Sequence, residues 1–248
     1  NGRPKLIVPY RNGLTANALT AARASCTQIP AHHAAGDPVL IGLWEQPTVI
    51  SSTPEPTCTI GVEFHPEGLS NLFSDCLFQG ASELTQRIVS LSDVLGATGR
   101  ALGEHVVNAC SPVAAAEIVQ RFLRTRLARC PTEPPLIEAA LGLLRNSGYR
   151  MEVSELERRM GYSRRYLQSL FQRRVGLPPK RLASVLAFER LYRRFSQQKS
   201  VELLRRDALE LFYDQSHFIR NFRRFTGSSP SAFAELDNEF GRLFYVTR

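Results

Sequence analysis

The sequence predicts an α+β protein: a β-rich N-terminal region with flanking helices, then an all-α domain with two tandem helix-turn-helix units. Three observations lead to this fold class. Short apolar runs broken by turn residues fill residues 1–64, whereas later apolar residues recur at helical spacing. Three prolines within 131–135 indicate a linker. The residues after Pro135 include 21 basic and 12 acidic side chains, against 10 and 11 up to that point. We therefore expect domains at 1–130 and 136–248.

Four strands are predicted in the N-terminal region, at residues 6–8, 39–41, 48–50 and 57–62. Glycine and proline clusters separate them. Strands of this length predict a small barrel or sandwich, incomplete if the protein begins upstream of Asn1. We expect no metal site, because adjacent His32 and His33 would face opposite sides of a strand. His65 belongs to a turn-like segment where a surface position is ordinary.

Helical patterns replace the strands after Phe64. A short helix is predicted near 69–73, and a longer one from Ser90 through Val106. Ser111 followed by Pro112 is a typical helix start, and this third helix is expected to reach about Arg129.

The third helix has an apolar stripe, with basic residues largely outside it. The stripe consists of Val119, Phe122, Leu123 and Leu127, and the residues outside it include Gln120, Arg121, Arg124 and Arg126. Two roles stay open for the stripe: packing against the β-rich region, which we favour, or pairing with a second subunit.

The first helix-turn-helix unit is predicted at about 153–174, after a helix from 136 to about 145. Residues 153–160 are expected to form its first helix, with Gly161 in the tight turn and Ser163 as the cap of the second helix. Apolar residues of the second helix share its inner face: Leu167, Leu170 and Phe171. Polar residues share its outer face: Arg165, Gln168, Ser169 and Gln172.

A connecting helix at about 179–196 leads to the second unit, predicted at about 201–225. Its last helix places Phe218, Phe222 and Phe225 on one face, and Gly227 and Pro230 end it. The turn before Asp214 contains the large side chain of Phe212.

The segment DQSHFIRNFRRFTGSSPSAF at 214–233 resembles the second recognition helix and C-terminal signature of the AraC/XylS family of bacterial transcription regulators. The resemblance extends over about the last 110 residues and includes the GLPPKR segment at 176–181. The turn before Asp214 departs from the family pattern by about one residue. For the N-terminal region, the resemblance implies a cupin-like domain that senses a small molecule.

By position, the resemblance implies DNA base contacts from residues of both units: Arg165, Gln168, Ser169, Gln215, Ser216, His217 and Arg220. Arginine suits guanine and glutamine suits adenine, because each pair forms two hydrogen bonds in the major groove. Basic neighbours are expected to contact phosphates: Arg164, Arg173, Arg174, Lys180, Arg181, Arg223 and Arg224.

We therefore expect a sequence-specific regulator rather than an enzyme, with no cofactor and no metal. Its two recognition helices would enter adjacent major grooves on one face of DNA. The expected partners are double-stranded DNA, a small-molecule effector, RNA polymerase and a second copy of the chain. A cytoplasmic, nucleoid-associated location is expected, without membrane insertion, because no apolar run is long enough to span a bilayer.

Two other functions stay open. A DNA-repair alkyltransferase with a similar DNA-binding domain would need a reactive cysteine and usually a cysteine-rich zinc site. The five cysteines are scattered and form no CxxC pair, which speaks against this function: Cys26, Cys58, Cys76, Cys110 and Cys130. A non-specific nucleic-acid binder would show steep salt dependence and no sequence preference.

Overall fold

The N-terminal region of the computed structural model contains two antiparallel sheets. The structure describes residues 2–18, 31–46, 48–52, 55–77, 80–129, 135–198, 215–230 and 232. One sheet has the strand order β6-β1-β4-β7 and the other β3-β2-β5. The strands are β1 Lys5–Arg11, β2 Leu14–Ala18, β3 Ala31–His33, β4 Val39–Ile41, β5 Thr48–Ser52, β6 Cys58–Glu63 and β7 Ile88–Ser90.

The central strands of the four-stranded sheet, β1 and β4, are buried on both faces, which explains their continuous apolar runs. In β1, Leu6 and Val8 join a core with the helices, while Ile7 faces a second core with Leu14 and Trp44. Alternate residues of a strand point to opposite faces, so a strand covered on both sides needs apolar residues throughout.

The four predicted strands are confirmed as β1, β4, β5 and β6. The prediction that strands end at about residue 64 is wrong, because β7 completes the first sheet by pairing Val89 with Leu40. Three residues give no readable alternation, so only the partner strand identifies β7.

Four helices follow within the N-terminal half: α1 Gly68–Leu72, α2 Leu91–Leu95, α3 Ala97–Val107 and α4 Pro112–Leu127. The predicted continuous helix from Ser90 is instead broken at Gly96, which has φ 57°. The break lets α3 fold back closely on α2, since a Cβ at Gly99 would lie 2.5 Å from the Leu91 carbonyl oxygen. A short 3-10 helix, Gly80–Leu84, lies between α1 and β7.

Helix α4 begins as predicted, with the Ser111 hydroxyl accepting a hydrogen bond from the Ala114 amide. Its predicted stripe is wrong at the C-terminal end, where Leu127 is exposed and Arg126 is buried. Arg126 donates from Nε and Nη2 to the Leu72 carbonyl, at 2.9 and 2.7 Å, and pairs with Asp75. It thereby satisfies a carbonyl at the end of α1 that has no partner within its own helix.

Five helices make up the described C-terminal half: α5 Leu136–Asn146, α6 Val153–Met160, α7 Arg164–Arg174, α8 Pro179–Gln198 and α9 Gln215–Thr226. They share one apolar core, which includes Leu156, Phe171, Phe188 and Phe222. Leu43 of the N-terminal half also belongs to this core. The predicted helices of the first unit are confirmed.

The first helix of the second unit and the turn with Phe212 lie outside the described residues, as do residues 131–134 of the predicted linker. The domain division therefore stays a prediction. Among the described helices, none is both long enough and apolar enough to cross a membrane.

Candidate nucleic-acid interface

Two local features fix the angle between α6 and α7. Helix α6 ends at Gly161 in the left-handed region, with φ 72° and ψ 19°, and the Gly161 amide donates to the Glu157 carbonyl at 2.9 Å. Ser163 then starts α7 in an extended conformation, and its hydroxyl accepts from the Tyr166 amide at 3.4 Å. A positive φ is free of strain only for glycine, so the turn is encoded locally.

The inner face of α7 anchors it in the C-terminal core. Leu167 and Phe171 are fully buried beside Leu156 of α6, and Leu170 is partly buried. The predicted inward orientation of this stripe is confirmed.

The opposite side of α7 carries a polar surface that we call the reading face: Arg165, Gln168 and Ser169. All three side chains are exposed, as their helical positions predict. Within the described residues, no hydrogen bond or ion pair engages any of the three side chains. The surface can therefore meet a ligand without breaking internal contacts.

The C-terminal end of α7 is held by the N-terminal half of the protein. Arg174 donates from Nη2 to Asn71 Oδ1 at 2.6 Å, and the Ser70 hydroxyl donates to the Arg174 carbonyl at 2.7 Å. The Thr85 hydroxyl donates to the Gly176 carbonyl at 3.0 Å. Arg164 and Arg173 remain exposed. The phosphate-contact candidates of α7 therefore differ, because Arg174 is engaged within the protein whereas Arg164 and Arg173 are accessible.

Helix α9 is anchored in the same core by Phe218, Phe222 and Phe225. Polar and basic residues of α9 are exposed: Ser216, Arg220, Arg223 and Arg224. Gln215 and His217 lie in α9, but their side chains are outside the described part of the chain. Gly227 has φ 79° and ends the helix, as predicted.

A buried carboxylate links α8 and α9 to the N-terminal half. Glu45, only 2% exposed, accepts a hydrogen bond from Arg181 Nε at 2.8 Å and one from Arg224 Nη2 at 2.7 Å. We call these three residues the Glu45 clamp. Arg181 and Arg224 are 49% and 45% exposed. A buried carboxylate needs such partners, because an unpaired charge away from water is costly.

The clamp changes the prediction for two phosphate-contact candidates. In this conformation the guanidinium groups of Arg181 and Arg224 already bind an anionic group of the protein itself. Lys180, by contrast, forms a long surface pair with Glu152, at 3.9 Å. Sequence reasoning missed the clamp because Glu45 is 136 residues from Arg181 and 179 from Arg224, and no local pattern marks it.

A second ionic group holds α8 against the sheet. The Gly2 amide donates to Glu189 Oε2 at 3.0 Å, and Arg193 pairs with the other oxygen of Glu189 at 2.9 Å. Nearby, Lys5 donates to Glu63 at 2.6 Å. Burial lowers the pKa of Lys5, and the hydrogen bond to Glu63 opposes that shift. Arg193 of α8 also pairs with Glu63 of β6 at 3.8 Å, which joins the helix to the sheet.

Two tyrosines beside the reading face were missed in the sequence. The Tyr162 and Tyr166 rings stack with centroids 4.9 Å apart and an interplanar angle of 22°. They are 43% and 41% exposed. Their spacing of four residues across the Ser163 cap is the sequence signal that could have revealed them.

Comparison with known proteins finds a matching domain family in the C-terminal half of the chain. Residues 156–235 match the model of a helix-turn-helix domain of the AraC type, a range that begins within α6 and continues beyond α9. No curated protein sequence matches the chain.

Solved structures of ToxT from Vibrio cholerae share the fold. ToxT from strain O395 superposes with a TM-score of 0.52 at 11% identity, over 94% of this chain and 88% of that one. An apo single-residue variant of ToxT from strain SCE256 gives 0.51 at 12% identity, with the same coverage. At such low identity the likeness shows the fold alone, and it extends across both halves of the molecule.

Proposed function

We propose that the protein, whose residues 156–235 match a helix-turn-helix domain of the AraC type, reads a specific DNA sequence through two recognition helices, α7 and α9. The helices would enter adjacent major grooves about one helical turn apart. The observation that carries this proposal is the exposed reading face on a helix that is fixed by Gly161, Ser163 and the fully buried side chains of Leu167 and Phe171.

The chemistry of the reading face supports base recognition. Arg165 can donate two hydrogen bonds to guanine, and Gln168 can pair in the same way with adenine. Each such pair discriminates against a wrong base by about 1–3 kcal/mol. Ser169, with a short hydroxyl, accepts or donates and completes the surface. In α9, Arg220 and Ser216 are the exposed candidates for the same role.

We further propose that the N-terminal half controls DNA binding without performing chemistry. It contacts α7 through Ser70 and Asn71, and it contacts α8 and α9 through the Glu45 clamp. An effector that binds one arrangement of these contacts better than another would shift the population of DNA-competent molecules. A small molecule, RNA polymerase and a second copy of the chain are the proposed partners besides DNA, in the bacterial cytoplasm at the nucleoid.

The proposal is tested by selecting bound duplexes from a random DNA pool at about 150 mM salt, a physiological ionic strength. Wild type is compared with Arg165→Ala and Arg220→Ala. We expect two half-sites about one helical turn apart, and each variant should relax the sequence preference of a different half-site. Arg145→Ala, an exposed arginine on α5 outside both recognition helices, is the matched control and should leave both half-sites intact.

Other outcomes are equally informative. A single half-site that depends on Arg165 would mean that α9 does not read bases. Absence of any motif, with affinity that falls steeply with salt for all sequences, would replace the proposal by non-specific nucleic-acid binding.

A further inference from the structure

We propose that Tyr162 and Tyr166 form a stacked pair whose hydroxyl groups bind the phosphate backbone along one edge of the major groove read by α7. The pair would fix the register of the reading face without selecting a sequence. This inference rests on the proposed function, and it adds two neutral side chains to a set of phosphate contacts otherwise assigned to basic residues.

The position of Tyr166 on the helix places it on a flank. Because successive helical residues are rotated by about 100°, Tyr166 lies about 100° from Arg165 and about 60° from Ser169. Arg173, seven residues later, lies on the same flank and is exposed. When the reading face points to the floor of a groove, this flank points to the sugar–phosphate wall.

The exposure of the pair is unusual for its residue type. Tyrosine is amphipathic and normally covers much of its ring, yet both rings remain more than 40% exposed. No hydrogen bond within the described residues uses either hydroxyl group. Two donors therefore stand at the edge of a surface that also carries exposed Arg164 and Arg165. The positive charge of these neighbours favours an anionic occupant such as phosphate.

Stacking would make two tyrosines more effective than one, because it orders both side chains before DNA binds. At a centroid separation of 4.9 Å each ring restricts the other, so less side-chain entropy is lost on binding. Tyr166 also follows the Ser163 cap, which fixes its backbone. Tyrosine hydroxyls are among the groups that contact DNA phosphates in known complexes, where they orient the protein on the duplex.

The test uses the full chain and the duplex selected with wild type. Tyr162→Phe, Tyr166→Phe and the double variant keep the rings and remove only the hydroxyls. A hydrogen bond to a charged group supports a loss of about tenfold in affinity for each hydroxyl. We expect this loss on the selected site and on a scrambled duplex alike. The salt dependence should stay unchanged, because a neutral donor releases no counterion.

The contacted phosphates are then identified with duplexes that carry one neutral methylphosphonate each. A methylphosphonate at the contacted position should weaken DNA binding by wild type. It should not weaken binding by Tyr166→Phe any further, because that variant already lacks the hydroxyl contact. Tyr10→Phe is the matched control: it removes a buried hydroxyl that donates to the Ala109 carbonyl at 2.9 Å. This variant should lower the melting temperature and leave DNA affinity unchanged.

Three results separate the proposals. Wild type that selects no sequence overturns the proposed function. Wild type that selects a motif while both Phe variants bind it equally well overturns the tyrosine contact alone. A loss confined to one base pair, with scrambled DNA unaffected, would also overturn it, since the hydroxyls would then read a base.

Discussion

The two proposed recognition helices, α7 and α9, differ in what holds their basic residues. In α7, Arg164 and Arg165 at the start of the helix are exposed and without internal ion pairs in the described part of the chain. In α9, Arg224 binds Glu45, which comes from the N-terminal half and also binds Arg181. Both helices pack three apolar side chains into one core, so their inner faces are alike.

This difference identifies the residues through which the N-terminal half can affect DNA binding. Among the described residues, the reading face of α7 forms no hydrogen bond or ion pair with the N-terminal half, whereas Arg174, Arg181 and Arg224 do. A change in the N-terminal half would therefore alter affinity and the placement of the second helix, while the sequence preference of α7 stays constant.

The largest effect is expected from Phe222→Ala, because both helices depend on one core. Phe222 is fully buried and its ring centroid lies 5.5 Å from that of Phe188 in α8. Truncation should lower the free energy of unfolding by about 3–5 kcal/mol, measured by chemical denaturation. Arg223→Ala, an exposed neighbour, should change it by less than about 0.5 kcal/mol. If α9 loses its structure in this variant and the variant still selects the first half-site unchanged, the two helices fold separately.

Removal of the clamp carboxylate comes next. Glu45→Gln should cost about 1–2 kcal/mol of stability, because a charge-assisted acceptor is lost but both arginines remain partly hydrated. It should also strengthen DNA binding and steepen the salt dependence by up to about two units of slope, since two guanidinium groups become available to phosphates. Titrations of labelled duplex at several salt concentrations measure both quantities.

Glu155→Gln is the matched control for the clamp. It removes the same charge from a surface carboxylate that pairs with Arg158 and Arg159. An equal change in salt slope for both variants would mean that net charge, rather than the clamp, sets DNA affinity. An unchanged slope for Glu45→Gln would mean that Arg181 and Arg224 do not meet phosphates.

A smaller effect is expected at the turn between α6 and α7. Gly161→Ala should destabilise the protein by about 1–2 kcal/mol, because an L-residue is strained at φ 72°. Nothing lies within 4 Å of the added Cβ, so backbone strain is the whole cost. Gly142→Ala in α5, also without neighbours at its Cβ, should instead be neutral or stabilising. Equal effects of the two substitutions on the melting temperature would contradict this assignment.

The smallest effect concerns acid pH. Hydrogen bonds from Arg159, and then Arg158, lower the pKa of Glu155 below its usual value. The pairing therefore stabilises the folded state above about pH 4.3, and this contribution is lost as the pH falls through the folded-state pKa. The melting temperature of wild type should slightly exceed that of Glu155→Gln at pH 7, and the two should converge near pH 3. A constant difference across this range would refute the linkage.

Much of the candidate site could be predicted because its determinants are local. Gly161, Ser163 and the spacing of Leu167 and Phe171 specify a helix-turn-helix with a defined outer face. The same holds for Ser111 and Pro112 at the start of α4. These signals act within a few residues, through backbone conformation, capping and amphipathic spacing.

The remaining features depend on residues far apart in the chain. Arg126 is buried because the end of α1 presents a carbonyl to it, and β7 exists because β4 offers a free edge. The break at Gly96 follows from the close packing of α3 on Leu91. None of these partners has a fixed sequence distance, so pattern reading assigned Arg126 to the surface and joined α2 to α3.

Local signals in the sequence specify α6, α7 and the outward position of the reading face, because each follows from the order of residues along one element. Only the tertiary structure decided that Glu45 binds Arg181 and Arg224, and that Leu43 enters the C-terminal core. Such contacts arise when independently encoded elements pack together. Burial then forces a charged group such as Glu45 to find its partners in space rather than in sequence.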